Sequence, residues 1–254
     1  MAYGIKGRSS PGPRSSTFEF WRWETQVPPV LSAIAGLVDV IGFLTLKLFA
    51  AHVTGNLVLI AALVVGGTSR LDQVLAIPTF VVAVGTAWLI GRRSQRKGPS
   101  LGRLLLFVQL VLLTCVLLVS ILWHPSNGLN SLVLNLTAMI AVAAMAAQYS
   151  FLAMVMPSAP STAVMTGNLT IVTIGFLDQM HGAPLTERKY KPLDKTFPVL
   201  ASFVAGCAAG AVAVIELGDW AWLIPVVLAA LVTTMFPRET TGTHSMQEGE
   251  DDPL

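Results

Sequence analysis

Apolar residues run through the chain in eight blocks, near residues 28–46, 52–67, 74–91, 102–122, 132–156, 163–177, 197–216 and 219–236. The connectors between them are short and carry most of the charge. A helix needs about 20 apolar residues to cross ~30 Å of hydrocarbon, and most of the blocks predict such helices. The second and sixth fall short and open with polar residues, so each is expected to enter the membrane without crossing it. Residues 1–27 read as a polar N-terminal tail and residues 237–254 as an acidic, disordered C-terminal one, through Glu248, Glu250, Asp251 and Asp252. One membrane domain, 28–236, lies between them.

A repeat underlies the pattern. Val53-Thr54-Gly55-Asn56-Leu57 returns as Met165-Thr166-Gly167-Asn168-Leu169, and both copies open a short block. Each is preceded by a span rich in small residues with one polar residue inside: Asp39 after Ala35-Gly36-Leu37-Val38, and Gln148 after Ala144-Met145-Ala146-Ala147. Two related halves follow, about 28–127 and 128–236. With three crossings per half, the second half is inverted relative to the first, the plan of many secondary transporters. The expected fold is an all-α, polytopic transmembrane helical bundle of six spans plus two re-entrant or broken segments, arranged as a 3+3 inverted repeat.

Positive charge selects the same topology. If the two short blocks are re-entrant, the N-terminal tail, residues 92–103, residues 178–196 and the C-terminus all face the cytoplasm. Only Lys47 and Arg70 of the 16 basic residues then lie outside, as the positive-inside rule favours. Both termini are therefore expected in the cytoplasm, in a multi-pass protein of the plasma or inner membrane. Trp21, Trp23 and Trp88 fall at inner span ends and Trp123, Trp220 and Trp222 at outer ones, an expected aromatic belt. No apolar stretch ending in a cleavage site precedes the first span, which is expected to serve as the insertion signal.

Composition narrows the function. The chain is 54% hydrophobic and 12% charged, with mean hydropathy +0.68, whereas a soluble domain carries about 25% charged residues. A soluble enzyme and a nucleic-acid binder fit poorly; the lipid bilayer is the solvent. Cys115 and Cys207 sit inside apolar blocks and read as free core thiols. There is no Gly-x-x-x-x-Gly-Lys string, no His-Glu-x-x-His and no Ser/His/Asp set, so neither enzyme activity nor a metal or cofactor is expected.

The strings Ala35-Gly36-Leu37-Val38-Asp39-Val40-Ile41-Gly42-Phe43 and Ala51-His52-Val53-Thr54-Gly55-Asn56, with Gln148 and Met165-Thr166-Gly167-Asn168-Leu169, resemble the motifs of the YoaK family of uncharacterised membrane proteins. The resemblance covers roughly residues 28 to 236. That family's second motif usually places Gly before its Leu-Gln pair, where this chain has Ala146-Ala147-Gln148. The resemblance implies a membrane fold and a supposed small-molecule transport role.

Asp39 is the one carboxylate deep inside an apolar block. Its helical face is Ser32, Ala35, Gly36, Gly42 and Phe43, mostly small residues that pack closely or line a cavity. A buried intramembrane acid reads either as a proton or cation coupling site or as a structural hydrogen bond to a neighbouring helix or turn. His52 can relay protons to Asp39 or anchor the segment start. In the repeated motif, Thr54, Asn56, Thr166 and Asn168 supply groups that coordinate a ligand or cap a helix, and Gly55 and Gly167 let the backbone break. With Gln148 these residues form the expected binding site for a small-molecule or ion substrate, the two motifs meeting near the midplane. Gly206-Cys207-Ala208-Ala209-Gly210 reads as a helix contact, within the chain or in a homodimer. Secondary transport with Asp39 as coupling group is the favoured function; a channel and a non-transporting scaffold are the alternatives.

Overall fold

In a computed structural model, the chain is described over residues 14–65, 71–93, 99–123, 131–180 and 193–236, with side chains from Thr25 onward apart from those of residues 63, 71, 72, 99 and 131. Among these residues there are only helices: α1 (Arg14–Leu46), α2 (Gly55–Val65), α3 (Leu71–Arg93), α4 (Pro99–Trp123), α5 (Ser131–Val155), α6 (Met165–Met180), α7 (Leu193–Leu217), a 3₁₀ turn at Gly218–Trp222, and α8 (Leu223–Met235). Each apolar block becomes one helix. Five helical stretches are long and apolar enough to cross a membrane: Thr25–Leu46, Gln73–Arg93, Ser100–Trp123, Leu132–Val155 and Leu193–Met235. The protein is a multi-pass helical membrane protein. At 11 and 16 residues, α2 and α6 reach only about 16 and 24 Å, short of the bilayer core.

Helix α1 starts earlier than hydropathy indicates. It begins at Arg14, inside the expected polar tail, and runs through Pro28 and Pro29. An apolar count does not register a polar helical extension, and membrane helices tolerate proline where neighbouring groups re-satisfy the backbone. The expected acidic tail at 237–254 lies outside the described residues.

Helix α1 is the centre of the bundle, packing on α7, α8 and α5; α5 packs on α4 and α3, α4 on α8, α2 on α3, and α6 on α7. Leu31, Ile34, Ala35, Val38 and Ile41 of α1 are fully buried. The outward faces are apolar as well: Val65 and Ile215 are 90% and 79% exposed, as expected where lipid is the solvent.

The α1–α7 crossing is a glycine contact. A Cβ on Gly206 would strike the carbonyl oxygen of Ala33, one on Gly36 would strike that of Phe203, and one on Gly210 would lie 3.2 Å from that of Leu37. The Gly206–Gly210 pattern is thus spent within the chain, bringing α7 close enough for Ser32 Oγ to donate to the Val199 carbonyl at 2.7 Å.

The aromatic belt needs one correction. Trp123 and Trp220 are exposed, and so is Trp88, with the Arg92 guanidinium 5.2 Å from its ring centroid. Trp222 is fully buried, because the 3₁₀ turn after Gly218 carries its ring in toward Gly42 of α1.

Candidate functional site

Asp39 ties the loop before α2 to the central helix. Its Oδ1 accepts the backbone N–H groups of Ala51 at 2.7 Å and His52 at 3.1 Å, and its Oδ2 pairs with His52 Nδ1. The carboxylate is buried at 5% exposure. The His52 ring meets Phe203 of α7 edge-on, with centroids 5.2 Å apart. Tyr149 of α5 and Cys207 of α7 lie within electrostatic range of Asp39. Elements from both halves therefore converge on this carboxylate. His52 Nε2 at the pair, and Tyr149 Oη on α5, are buried without a hydrogen-bond partner among the described residues.

Small residues on the Asp39 face explain how the pair becomes enclosed. Gly36, one turn below Asp39, admits the backbone of Phe203 and Cys207. Gly42, one turn above, admits the Leu48 carbonyl, at 3.3 Å from where a Cβ would sit. The face is a docking surface for α7 and for the chain leaving α1. That chain reverses through Lys47, at φ 63°, whose carbonyl accepts from Gln73 Nε2 of α3 at 2.9 Å.

Each Thr-Gly-Asn motif closes its own loop. Asn56, fully buried, accepts the Phe49 N–H at 2.9 Å and donates to the Phe49 carbonyl at 2.8 Å. Gly55 fits against the same phenyl ring, where a Cβ would lie 3.1 Å from Cδ2, and that ring stacks on Phe43 at 4.9 Å. In the second half Asn168 donates to the Ser161 carbonyl at 2.7 Å, again seven residues back, and Gly167 packs against Val164. Thr54 and Thr166 are exposed. Among the described residues α2 packs on α3 and α6 packs on α7. Val164, in the place of His52, is exposed, and the Asp–His pair belongs to the first half alone.

Gln148 works elsewhere on α1. Fully buried, it donates through Nε2 to the Leu31 carbonyl at 2.9 Å and accepts from Gln109 Nε2 at 2.7 Å. This clamps α5 to α1 and α4, two turns of α1 away from Asp39. Sequence reasoning missed Gln109, Tyr149 and Phe203, and read Cys207 only as a packing thiol. Gln109 had a usable signal, as a lone amide amid the apolar run of α4; Phe203 had none.

The family model described as "Protein of unknown function (DUF1275)" matches residues 29–235. The chain belongs to this family. The match spans the membrane domain from Pro29 of α1 to the last residue of α8 and takes in the Asp39–His52 pair, Gln148 and both Thr-Gly-Asn motifs. Comparison with curated proteins and with solved structures finds no match.

Proposed function

We propose that this DUF1275 protein is a secondary transporter of a small solute, coupled to protons through the Asp39–His52 pair, and that it transports without catalysing a reaction. The observation that carries the reading is the pair itself: a titratable dyad inside an apolar bundle, with Phe203 of α7 edge-on to the His52 ring. Intramembrane ionisable residues are costly and commonly mark ion or proton pathways.

The architecture that accompanies this reading has six crossings in two inverted halves, both termini in the cytoplasm, in the plasma or inner membrane. As one continuous helix the 43-residue stretch Leu193–Met235 would be about 65 Å long, twice the bilayer core. Gly218, at φ 56°, breaks it, and both α7 and α8 return to α1, in keeping with two passes. Exchanging α1 with α5, α2 with α6, α3 with α7 and α4 with α8 turns each of the helix packings described above into another of them, which supports the inverted repeat. The paired reach-back of Asn56 and Asn168 supports it locally. Within the family, the quoted motifs favour a YoaK-like member.

Proteoliposomes containing the protein and an internal pH dye, challenged with a panel of small polar solutes, test the reading. At least one solute is expected to drive proton movement, abolished in Asp39→Asn. Solute entry with no proton movement and no dependence on Asp39 would favour a channel, and no entry of any solute would favour a scaffold.

A further inference from the structure

Three nitrogens face the Asp39 carboxylate. Oδ1 is occupied by the N–H groups of Ala51 and His52, and Oδ2 faces His52 Nδ1. An ionised carboxylate is acceptor-only, so with Asp39 in that form Oδ2 receives the ring hydrogen of His52. The neutral imidazole then carries its hydrogen on Nδ1 and its lone pair on Nε2. That second nitrogen is the buried one without a partner among the described residues, although the side chain as a whole is 23% exposed.

We propose that the proton moved by this protein binds at Nε2 of His52, and that Asp39 is a positioning residue that holds the ring and selects its tautomer. The inference rests on the transporter reading and reassigns the titrating group within it. The groups around the ring fit the role. Asp39 of α1 meets the other nitrogen and offsets the charge of the imidazolium that forms. Further off on α5, within electrostatic range of Asp39, Tyr149 Oη is also buried without a hydrogen-bond partner among the described residues. From α7, Cys207 lies in the same field, and Phe203 covers the ring edge-on. The step balances simply. A proton from water on one side forms the Nε2–H bond, and breaking that bond returns the proton to water on the other.

The two nitrogens can be read directly. In the full chain, ¹⁵N-histidine-labelled and reconstituted in nanodiscs, the His52 signals are identified by their loss in His52→Gln. At alkaline pH, Nδ1 is expected to carry the hydrogen and Nε2 to be bare, with Nε2 becoming protonated on acidification. A hydrogen on Nε2 at alkaline pH, or an Nε2 that never protonates, overturns the inference. His52→Asn provides the second measurement, because its amide N–H can still donate to Asp39 while nothing replaces Nε2. It is expected to retain a wild-type melting transition and to lose solute-driven proton movement to background; full proton movement in this variant would overturn the assignment. The nitrogen measurement needs no solute, so absence of transport in every liposome experiment would remove the transporter reading without bearing on the tautomer.

Discussion

The side chain of Asn56 clasps the backbone of Phe49 at both its N–H and its carbonyl, at 2.9 and 2.8 Å. The chain from Phe49 to Asn56 is thereby closed into a ring at the start of α2. In the second half the same reach-back from Asn168 finds the carbonyl of Ser161. The asparagine of the repeated motif is therefore a loop-closing residue in both halves, and Gly55 beside it makes room for the Phe49 ring.

Truncating the two asparagines should have unequal effects. Asn56→Ala strips both backbone groups of half-buried Phe49 of their partner, at about 1–3 kcal/mol for each group left unsatisfied. Asn168→Ala frees one carbonyl on exposed Ser161, where solvent can replace the lost donor. Thermal unfolding in detergent is expected to show the larger downward shift for Asn56→Ala. Equal shifts would mean that the two clamps carry the same load.

Closeness of α1 and α7 makes Gly206 intolerant of any side chain. A Cβ there meets the Ala33 carbonyl oxygen, a backbone atom that moves only if the helices separate. Gly206→Ala is expected to destabilise by about 1–3 kcal/mol, the usual scale of overpacking. Gly85, on α3, has nothing within 4 Å of its Cβ position, and Gly85→Ala should be neutral or stabilising by up to ~1 kcal/mol. The ranking of melting temperatures across wild type and the two variants checks the contrast.

Gln109 and Gln148 should be coupled. Gln148→Leu leaves the Gln109 amide without its acceptor in the bundle interior, whereas the double replacement by leucine leaves neither amide behind. The double variant is expected to be more stable than the Gln148→Leu single variant. A double-mutant cycle on unfolding free energy should return an interaction of about 0.5–1.5 kcal/mol. Strict additivity would show that the two amides act independently.

Charge placement predicts which loops face the cytoplasm. In a background lacking Cys115 and Cys207, Lys97→Cys and Lys191→Cys should resist impermeant thiol reagents applied from outside and react after permeabilisation. Labelling of either from outside intact cells would displace the six-crossing topology.

Helix number and the shortness of α2 and α6 were legible in the chain, because lipid imposes a simple rule on each segment taken singly. A crossing must be helical, apolar and about 20 residues long, and departures from that rule are visible without any partner. The polarity of Asp39 and His52 was legible for a related reason: a polar residue inside an apolar block is expensive and stands out. Their direct pairing depended on the loop from Lys47 to Thr54 doubling back onto α1, which local spacing does not specify. The same holds for Tyr149 and Phe203, contributed by α5 and α7, since the order in which helices pack is set by which small-residue faces fit together. Gly206 could have served another copy of the chain; only the tertiary structure turned it toward Ala33. Tertiary packing likewise buried Trp222, since a span-end tryptophan prefers the interface until a 3₁₀ turn and Gly42 provide a pocket for its ring. Composition and period thus determined the elements and their solvent, while close backbone approach, which no single segment encodes, decided what met Asp39.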